Sequence, residues 1–122
     1  MEVRNAVITS TMLGIDHGIM SFYLYLDYGG SGQRAGGWSL DTPVKIGNTF
    51  LRRVGTAEGL SLIMKILDVV GVGKWEDLKG KHIRVKQDHT AVHAIGNIIK
   101  NEWLDFSQFF EEIKEFTKLI ER

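Results

Sequence analysis

The alternation of residue types near the N-terminus constrains the fold of this chain more than any other feature. Between Ile19 and Tyr28, apolar residues alternate with polar residues and tyrosines at a period of two, as in a strand with one buried face. An earlier stretch, Val3 to Met12, alternates in the same way, so Leu13 to Gly18 is predicted to be a hairpin connection. Connections this short join antiparallel strands, because a parallel crossover needs roughly a dozen residues or more.

Two helices are predicted further along the chain. Apolar residues recur at helical spacing between Leu60 and Val70, with Thr56 as the N-cap and Gly71 as the residue that ends the helix. Asp105 begins a final helix, whose apolar stripe consists of Phe106, Phe109, Phe110, Ile113, Phe116 and Ile120. Core packing and a subunit interface would each account for this aromatic stripe.

The remaining elements complete a predicted α+β fold. Trp38 to Leu40 is expected to resume a strand, Asp41-Thr42-Pro43 to break the sheet, and Lys81 to Gln87 to form a hairpin with Val92 to Ile95. The resulting order βββ-α-ββ-α predicts a small antiparallel sheet with one central and one C-terminal helix. Because 122 residues leave too little chain for two cores, we expect a single domain over residues 1–122.

The composition argues against several classes of protein. The hydrophobic share of 43% and the charged share of 25% are those of an ordered globular domain. Equal numbers of basic and acidic residues, 15 each, argue against a coat for a nucleic-acid polymer or a membrane surface, since both rely on a strong basic field. The chain has no cysteine and four scattered histidines, so we expect no thiolate site, metal or cofactor. The sequence shows neither a bilayer-spanning apolar run nor a signal peptide, which favours a cytosolic protein.

Five of the fourteen glycines lie between Gly29 and Gly37, and this Gly-rich block is predicted to be a long loop. It contains the dinucleotide fingerprint G-x-G-x-x-A, but two further glycines follow where that motif needs a helix, which argues against a Rossmann fold. The block is interpreted either as a flexible hairpin tip or as a ligand-binding loop. In the second case Gln33, Arg34 and Trp38 would add an amide, a guanidinium and a stacking surface to the backbone amides.

A pair of arginines lies just before the first predicted helix. Arg52 and Arg53 precede Thr56 at the predicted helix start, where free N–H groups favour an anion. The alternative is a solvated pair of arginines that happens to lie near a helix cap. The first interpretation predicts a phosphate site at this position.

A second basic cluster lies on a predicted strand. His82, Arg84 and Lys86 alternate with apolar residues, which places them on one face. The hairpin partner adds His93, and Asn97 lies just beyond it. This surface is either the solvated face of a sheet or, beside the tyrosines of the earlier strand, a binding surface for a base and a phosphate.

The sequence offers no recognisable catalytic site. Asp16 and His17 are adjacent, so their side chains are expected to point apart, and no nucleophile is placed with them. Neither a triad nor a pair of catalytic carboxylates can be assembled from the remaining residues. We therefore expect a binding protein and not an enzyme.

Six segments spread over nearly the whole chain carry a family resemblance: Met1 to Ala6, Thr11 to Gly14, Leu24 to Gln33, Arg52 to Gly59, Trp75 to Gly80 and Ile95 to Ile98. Together they resemble the first Thoeris anti-defence family, small phage proteins that sequester bacterial immune signals. The stretch from Asp27 to Gln33 is the most specific. Arg34 and Ala35 depart from the family pattern of a glycine and a bulkier residue, which leaves the contact made there open.

The resemblance implies a function and a place of action. Members of this family bind glycocyclic ADP-ribose, the messenger of Thoeris immunity, and hold it without cleaving it. Some form hexamers and also bind cyclic trinucleotides at separate sites, and the family fold is a small antiparallel sheet with helices. We therefore expect a homo-oligomeric, non-enzymatic sponge in the cytoplasm of the infected host bacterium, with neither a membrane nor a nucleic-acid polymer as partner.

The chemistry of the messenger suggests which residues bind it. A cyclic ADP-ribose isomer presents a pyrophosphate, an adenine ring and ribose hydroxyls, which suit arginines, aromatic rings and neutral polar side chains respectively. The expected ligand-binding residues are Tyr28, Gln33, Arg34, Trp38, Arg52, Arg53, Thr56, His82, Arg84, His93 and Asn97. Two other functions remain open, an OB-type module for single-stranded nucleic acid and a phosphodiesterase that degrades the messenger.

Overall fold

The chain folds into antiparallel strands interrupted by one helix and followed by another, which confirms the predicted α+β class. The computed structural model describes residues 1–120, without the side chains of residues 117 and 120. Within these residues the elements are β1 (Glu2–Asp16), β2 (Ile19–Asp27), β3 (Gly32–Gly36), β4 (Asp41–Ile46), β5 (Thr49–Gly55), α1 (Ala57–Val70), β6 (His82–Gln87), β7 (Val92–Asn97), β8 (Trp103–Asp105) and α2 (Phe106–Ile120). A short 3-10 turn, Trp75–Leu78, lies between α1 and β6.

A six-stranded antiparallel sheet forms the centre of the fold, with the strand order β3-β2-β1-β6-β7-β8. β1 and β6 join the two halves of the chain, from Glu2 opposite Gln87 to Val7 opposite His82. β1 also pairs with β2 as a hairpin, so the N-terminal strand is hydrogen-bonded on both sides. β4 and β5 form a separate two-stranded hairpin.

One face of the six-stranded sheet, the inner face, packs against both helices. The core joins strand residues such as Ile8, Leu24 and Ile83 to helix residues that are also buried, namely Leu62, Ile66, Val69 and Phe106. Because side chains alternate across a strand, the intervening residues form an outer face. Side chains on this outer face, such as those of Tyr25 and His82, remain accessible to solvent.

The helix ends lie where the sequence predicts them. The Thr56 hydroxyl accepts a hydrogen bond from the Gly59 N–H at 2.9 Å, and Gly71 ends α1 in the left-handed conformation with φ of 90°. At the start of α2, the Asp105 carboxylate accepts a hydrogen bond from the Gln108 N–H at 3.0 Å. These bonds confirm Thr56 and Asp105 as N-caps and Gly71 as the helix-ending residue.

The predicted apolar stripe of α2 divides along the length of the helix. Phe106 is buried, and Phe109 and Phe110 pack against the core. Phe116, by contrast, is 57% exposed. Ile120 lies outside the described side chains. The first part of the stripe therefore serves the core, and the later part leaves apolar surface open.

The prediction of a connection from Leu13 to Gly18 is wrong, because β1 continues to Asp16. Leu13 pairs with Phe22, and the chain reverses over His17 and Gly18 alone, whose φ angles are 51° and 80°. Positive φ at both central positions is typical of the two-residue turns that match strand twist. Asp16 and His17 also do not point apart, since the His17 Nδ1 lies 3.1 Å from a carboxylate oxygen of Asp16.

The Gly-rich block is also more ordered than predicted. The Tyr28 N–H donates to the Ser31 carbonyl at 2.8 Å across a tight turn, in which Gly29 and Gly30 have φ angles of 88° and 123°. The following residues, Gly32–Gly36, form the edge strand β3 on β2 instead of a long loop. A strand in place of a helix after the glycines also agrees with the argument against a dinucleotide-binding fold.

The segment after the block departs from the prediction in two further respects. Trp38 to Leu40 is not a strand, because Gly36 and Gly37, with φ of 127° and 85°, turn the chain away from β2. Asp41-Thr42-Pro43 does not end a sheet but begins β4 of the small hairpin. Pro43 lies in this two-stranded sheet, whose strands are both edges, and this confirms its predicted edge position.

Candidate ligand-binding cavity

A cavity of about 600 Å³ lies at the end of the sheet where three segments of the chain meet. Its lining comes from Met1, Glu2 and Arg4 at the start of β1, from Tyr28 and residues 31–33 at the Gly-rich block, and from residues 87–89 at the turn after β6. This volume falls within the roughly 300–1,000 Å³ typical of small-molecule sites. These three segments lie side by side because β1 is paired between β2 and β6 in the sheet.

A chain of hydrogen bonds joins the Gly-rich block to the opposite wall. The Tyr28 hydroxyl donates to Oε1 of Gln33 at 2.6 Å, and Nε2 of Gln33 donates to the Asp88 carbonyl at 2.9 Å. Gln33 faces this way because it alternates with Arg34 along β3 and shares the inner face with its partner Leu26. The cavity wall is therefore closed by contacts between residues that are distant in sequence.

Arg4 supplies the guanidinium of the cavity lining. Its Cζ lies 4.3 Å from the centre of the Tyr28 ring, a cation–π arrangement that orients both side chains. Burial raises the pKa of the Tyr28 phenol, and the positive charge of Arg4 offsets part of this rise. Tyr28 therefore remains a protonated donor at neutral pH, which is the state that its hydrogen bond to Gln33 needs.

The turn after β6 is fixed by the Asp88 carboxylate. One oxygen accepts hydrogen bonds from the Thr90 hydroxyl and from the N–H groups of Thr90 and Ala91, the last two at 2.9 and 3.0 Å. The other oxygen lies 2.8 Å from Nε2 of His93. The Thr90 hydroxyl first, and then His93, hold the pKa of Asp88 well below its usual range. The carboxylate is therefore ionised at neutral pH.

The chemistry of the lining suits a ligand that carries both an anionic group and hydroxyls. Arg4 can bind a phosphate or carboxylate, and the Gln33 amide has hydrogen-bonding capacity beyond its two protein contacts. Glu2 supplies a carboxylate, the group that many nucleotide sites use to bind ribose hydroxyls. Of the glycines in the Gly-rich block, Gly32 lines the cavity, whereas Gly29 and Gly30 lie at the tight turn beside it.

Of the eleven residues predicted from the sequence, Tyr28 and Gln33 line this cavity. Arg34 projects from the outer face, with its guanidinium 4.4 Å from the centre of the Tyr23 ring. Trp38 packs in the core, its ring centre 5.1 Å from that of Phe110, and it does not line the cavity.

The predicted arginine pair lies in β5 and not at the start of the helix. Arg53 donates from Nε and Nη2 to the two carboxylate oxygens of Asp41, both at 2.9 Å. These bonds lower the pKa of Asp41 to about 2 and raise that of Arg53. Thr56 uses its hydroxyl to donate to the Leu40 carbonyl and to cap α1, while Arg52 is exposed on the hairpin. The structure thus engages Arg53 and Thr56 with protein groups.

The second basic cluster is also divided. Asn97 lies on the inner side, where its amide donates to the Val69 carbonyl of α1 at 2.9 Å, so it does not extend the basic face. Arg84 donates to the carbonyls of Asn97 and Lys100 at 2.7 and 2.8 Å. His93 pairs with Asp88, and His82 remains exposed.

Sequence reasoning missed Arg4, Asp88 and His89 as cavity residues. Alternation places Arg4 on the same side of its strand as Ala6 and Ile8, but the pattern does not show what lies beside it. The turn from Asp88 to Ala91 was predicted, but its position beside the Gly-rich block depends on the strand order, which short-range patterns do not encode.

In comparisons with known proteins, the sequence matches no family model and no curated protein, and no solved structure matches the fold. Among residues 1–120, neither helix is long and apolar enough to cross a membrane. In the same residues, no group of three or more histidine, aspartate or glutamate side chains could hold a metal ion.

Proposed function

We propose that this protein binds and sequesters a signalling nucleotide of the cyclic ADP-ribose type, glycocyclic ADP-ribose being the candidate that the Thoeris anti-defence resemblance implies. The cavity of about 600 Å³, which joins the Gly-rich block to Arg4 and to the turn at Asp88, is the observation that carries the proposal. Its position matters because the Gly-rich block is also the most specific part of that resemblance. By removing the messenger in the cytoplasm of an infected bacterium, such a protein would block immune signalling.

The lining residues supply a partner for each part of such a ligand. Arg4 would pair with a phosphate of the pyrophosphate. Glu2 and Gln33 would hydrogen-bond to ribose hydroxyls. A ring of the ligand would stack near Tyr28, beside the guanidinium of Arg4.

We propose binding without cleavage, because the polar groups of the cavity are already engaged with one another. Tyr28 donates to Gln33, Gln33 donates to the Asp88 carbonyl, and the Asp88 carboxylate accepts bonds within its own turn. A depressed carboxyl pKa makes Asp88 a weak general base. This arrangement favours a rigid binding surface over proton transfer.

We also propose that the protein is a homo-oligomer, a hexamer by family resemblance, with cyclic trinucleotides as possible ligands of separate sites. Exposed apolar side chains support the association. They lie on the β4–β5 hairpin and on the later part of α2, and they are Ile46, Phe50, Leu51, Phe116 and Leu119. Light scattering coupled to size exclusion measures the assembly directly, and a monomer at micromolar concentration contradicts this part of the proposal.

A thermal-shift panel tests the function. It compares glycocyclic ADP-ribose isomers with plain ADP-ribose, cyclic dinucleotides and cyclic trinucleotides. We expect the largest rise in melting temperature with a glycocyclic isomer, and intact nucleotide after the complex is denatured by heat. Recovery of a hydrolysed product would instead identify a phosphodiesterase, and the absence of a shift with every nucleotide would contradict the proposed ligand class.

A further inference from the structure

The outer face of the six-stranded sheet carries a set of aromatic and cationic side chains that the proposed cavity does not use. The face is formed by the residues that alternate with the buried core positions of each strand. Its aromatic and charged members are Asp16, Tyr23, Tyr25, Asp27, Arg34, His82, Arg84, Lys86, Trp103 and Asp105. Both helices contribute their buried side chains to the core on the opposite side.

At one edge of this face, two tyrosine rings tilted by 40° to each other lie beside an arginine. The ring centres of Tyr23 and Tyr25 lie 6.3 Å apart, and the Arg34 guanidinium lies 4.4 Å from the centre of the Tyr23 ring. Tyr25 and Arg34 are both exposed. Exposed tyrosine rings and guanidinium planes are the surfaces on which nucleic-acid bases stack.

At the other edge, two cationic side chains lie over the indole ring of Trp103. Lys86 Nζ lies 4.4 Å and Arg84 Cζ lies 4.8 Å from the centre of its ring. The indole lies close over β7 because Gly96 has no side chain there. With neighbouring strands about 4.8 Å apart, β3 and β8 at the two edges are separated by about 24 Å. An extended polymer of several units could contact both edges.

The cations of the outer face lie in two places. Arg34 lies at the β3 edge, and Arg84 and Lys86 lie over Trp103 near the other edge. The carboxylates of Asp16, Asp27 and Asp105 share the face by register, so the face as a whole is not cationic. The argument from overall neutrality concerns a uniform basic field, whereas the phosphates of a short strand need cations only at these two places.

We propose that the outer face binds single-stranded nucleic acid, with bases stacked on the Tyr25 and Arg34 edge and phosphates paired with Lys86 and its neighbours. Three features select this partner. The aromatic planes favour unpaired bases, the cations favour phosphates, and an open sheet with helices on its far side is a known platform for single strands. The bases of a duplex are paired and stacked on one another, so they could not stack on these rings. The proposal does not depend on the ligand of the cavity.

Fluorescence anisotropy of a labelled, mixed-sequence oligonucleotide of about 12 nucleotides tests the proposal, a length within the usual 4–16 nucleotide site size. We expect the single strand to bind more tightly than the matching duplex. Binding should weaken as salt rises, with a slope of about −0.7 per phosphate contact in a plot of log K against log salt.

Variants locate the site. Arg34→Ala and Tyr25→Ala should each weaken single-strand binding at least about fivefold, because each removes a stacking surface. Lys86→Ala should reduce the salt slope by about 0.7. Arg52→Ala, on the β4–β5 hairpin, removes a positive charge elsewhere and should leave binding unchanged. Circular dichroism and melting temperature confirm that the variants are folded.

Three results would overturn the proposal. The first is an anisotropy that stays constant with all single strands at low salt. The second is equal weakening by Arg52→Ala and Arg34→Ala, which would mean unspecific attraction. The third is a self-association that Tyr25→Ala abolishes in the absence of nucleic acid, which would assign the face to a second copy of this chain.

Discussion

The Tyr28 hydroxyl donates a short hydrogen bond of 2.6 Å to Oε1 of Gln33, and it thereby aims the amide nitrogen of Gln33 at the carbonyl of Asp88, 55 positions further along the chain. The Gln33 amide therefore links the Gly-rich block to the turn after β6 by hydrogen bonds. The two walls of the cavity are consequently held at a fixed separation. Their link offers the most direct way to perturb the cavity without changing the core.

Gln33→Ala should weaken binding of the proposed ligand, glycocyclic ADP-ribose, about tenfold, which corresponds to about 1.4 kcal/mol. The variant removes the link between the cavity walls and a polar group that faces the ligand. Isothermal titration calorimetry measures the dissociation constant. The matched control is Gln108→Ala on α2, where the glutamine amide bonds only to Glu112 among the hydrogen bonds described. Equal affinities for the two variants would exclude Gln33 from the site.

Gly59→Ala should destabilise the protein although alanine has the higher helix propensity. Propensity alone would stabilise α1 by about 1 kcal/mol. Gly59 is buried, however, and a Cβ there would lie 2.7 Å from the Cα of Leu40, which is backbone and cannot rotate away. Overpacking of this kind costs about 1–3 kcal/mol. Urea unfolding measures the difference, and Ser61→Ala on the same helix serves as the control. An increase in stability for Gly59→Ala would contradict the close packing of α1 on Leu40.

Gly96→Ala should destabilise the sheet and displace Trp103. A Cβ at position 96 would come within 2.6 Å of the indole ring, which also carries Arg84 and Lys86. We expect a loss of about 1–3 kcal/mol and a shifted tryptophan emission spectrum. Gly14→Ala is the control in another strand, because its nearest neighbour, the sulfur of Met12, lies 3.9 Å away. Identical unfolding midpoints for the two variants would be incompatible with the packing described.

Asp41 should make the free energy of unfolding depend on pH in acidic solution. Its pKa is lowered to about 2, chiefly by the hydrogen bonds from Arg53. A carboxyl whose pKa is lower in the folded state stabilises the fold above its unfolded pKa, about 4, and this contribution is lost as the pH falls towards the folded pKa. The stability advantage of the wild type over Asp41→Asn should therefore be constant near neutral pH and shrink below about pH 4.

Urea midpoints at a series of pH values test this dependence. The control is Asp68→Asn, since Asp68 lies on the surface of α1 with a contact of 3.8 Å to Lys65. We expect the difference between wild type and Asp68→Asn to remain small throughout. An Asp41→Asn difference that persists at the most acidic pH would show that the Arg53 contact is not its source.

Local patterns predicted both helices and the hairpins β1–β2 and β6–β7, but not β3, β4, β5 or β8, and they predicted the meeting points of the elements poorly. Thr56, Gly71 and Asp105 could be recognised as helix ends because capping depends on neighbouring residues alone. The hairpin from Lys81 to Ile95 follows from alternation and a polar turn. The Gly-rich block was misjudged because its alternating residues Gln33 and Ala35 are hidden among glycines, whose lack of side chains conceals a strand period.

The site was harder to predict because function and packing use the same residue types. Trp38 has the ring expected of a base-stacking residue, yet Phe110 and Phe106 offer it an apolar surface and it packs there. Arg53 has the charge expected of a phosphate ligand, yet Asp41 binds it in β4. In both cases a partner distant in sequence decides the role, and only the three-dimensional arrangement reveals that partner.

The strand order gives the cavity a thermodynamic consequence. Its lining is drawn from β1, from the turn between β2 and β3, and from the end of β6, so the pocket does not exist until these strands are paired. A ligand of this cavity would therefore bind the folded chain and not the unfolded one. By mass action it would stabilise the whole sheet, including strands that it does not touch, by an amount that grows with the ratio of ligand concentration to dissociation constant.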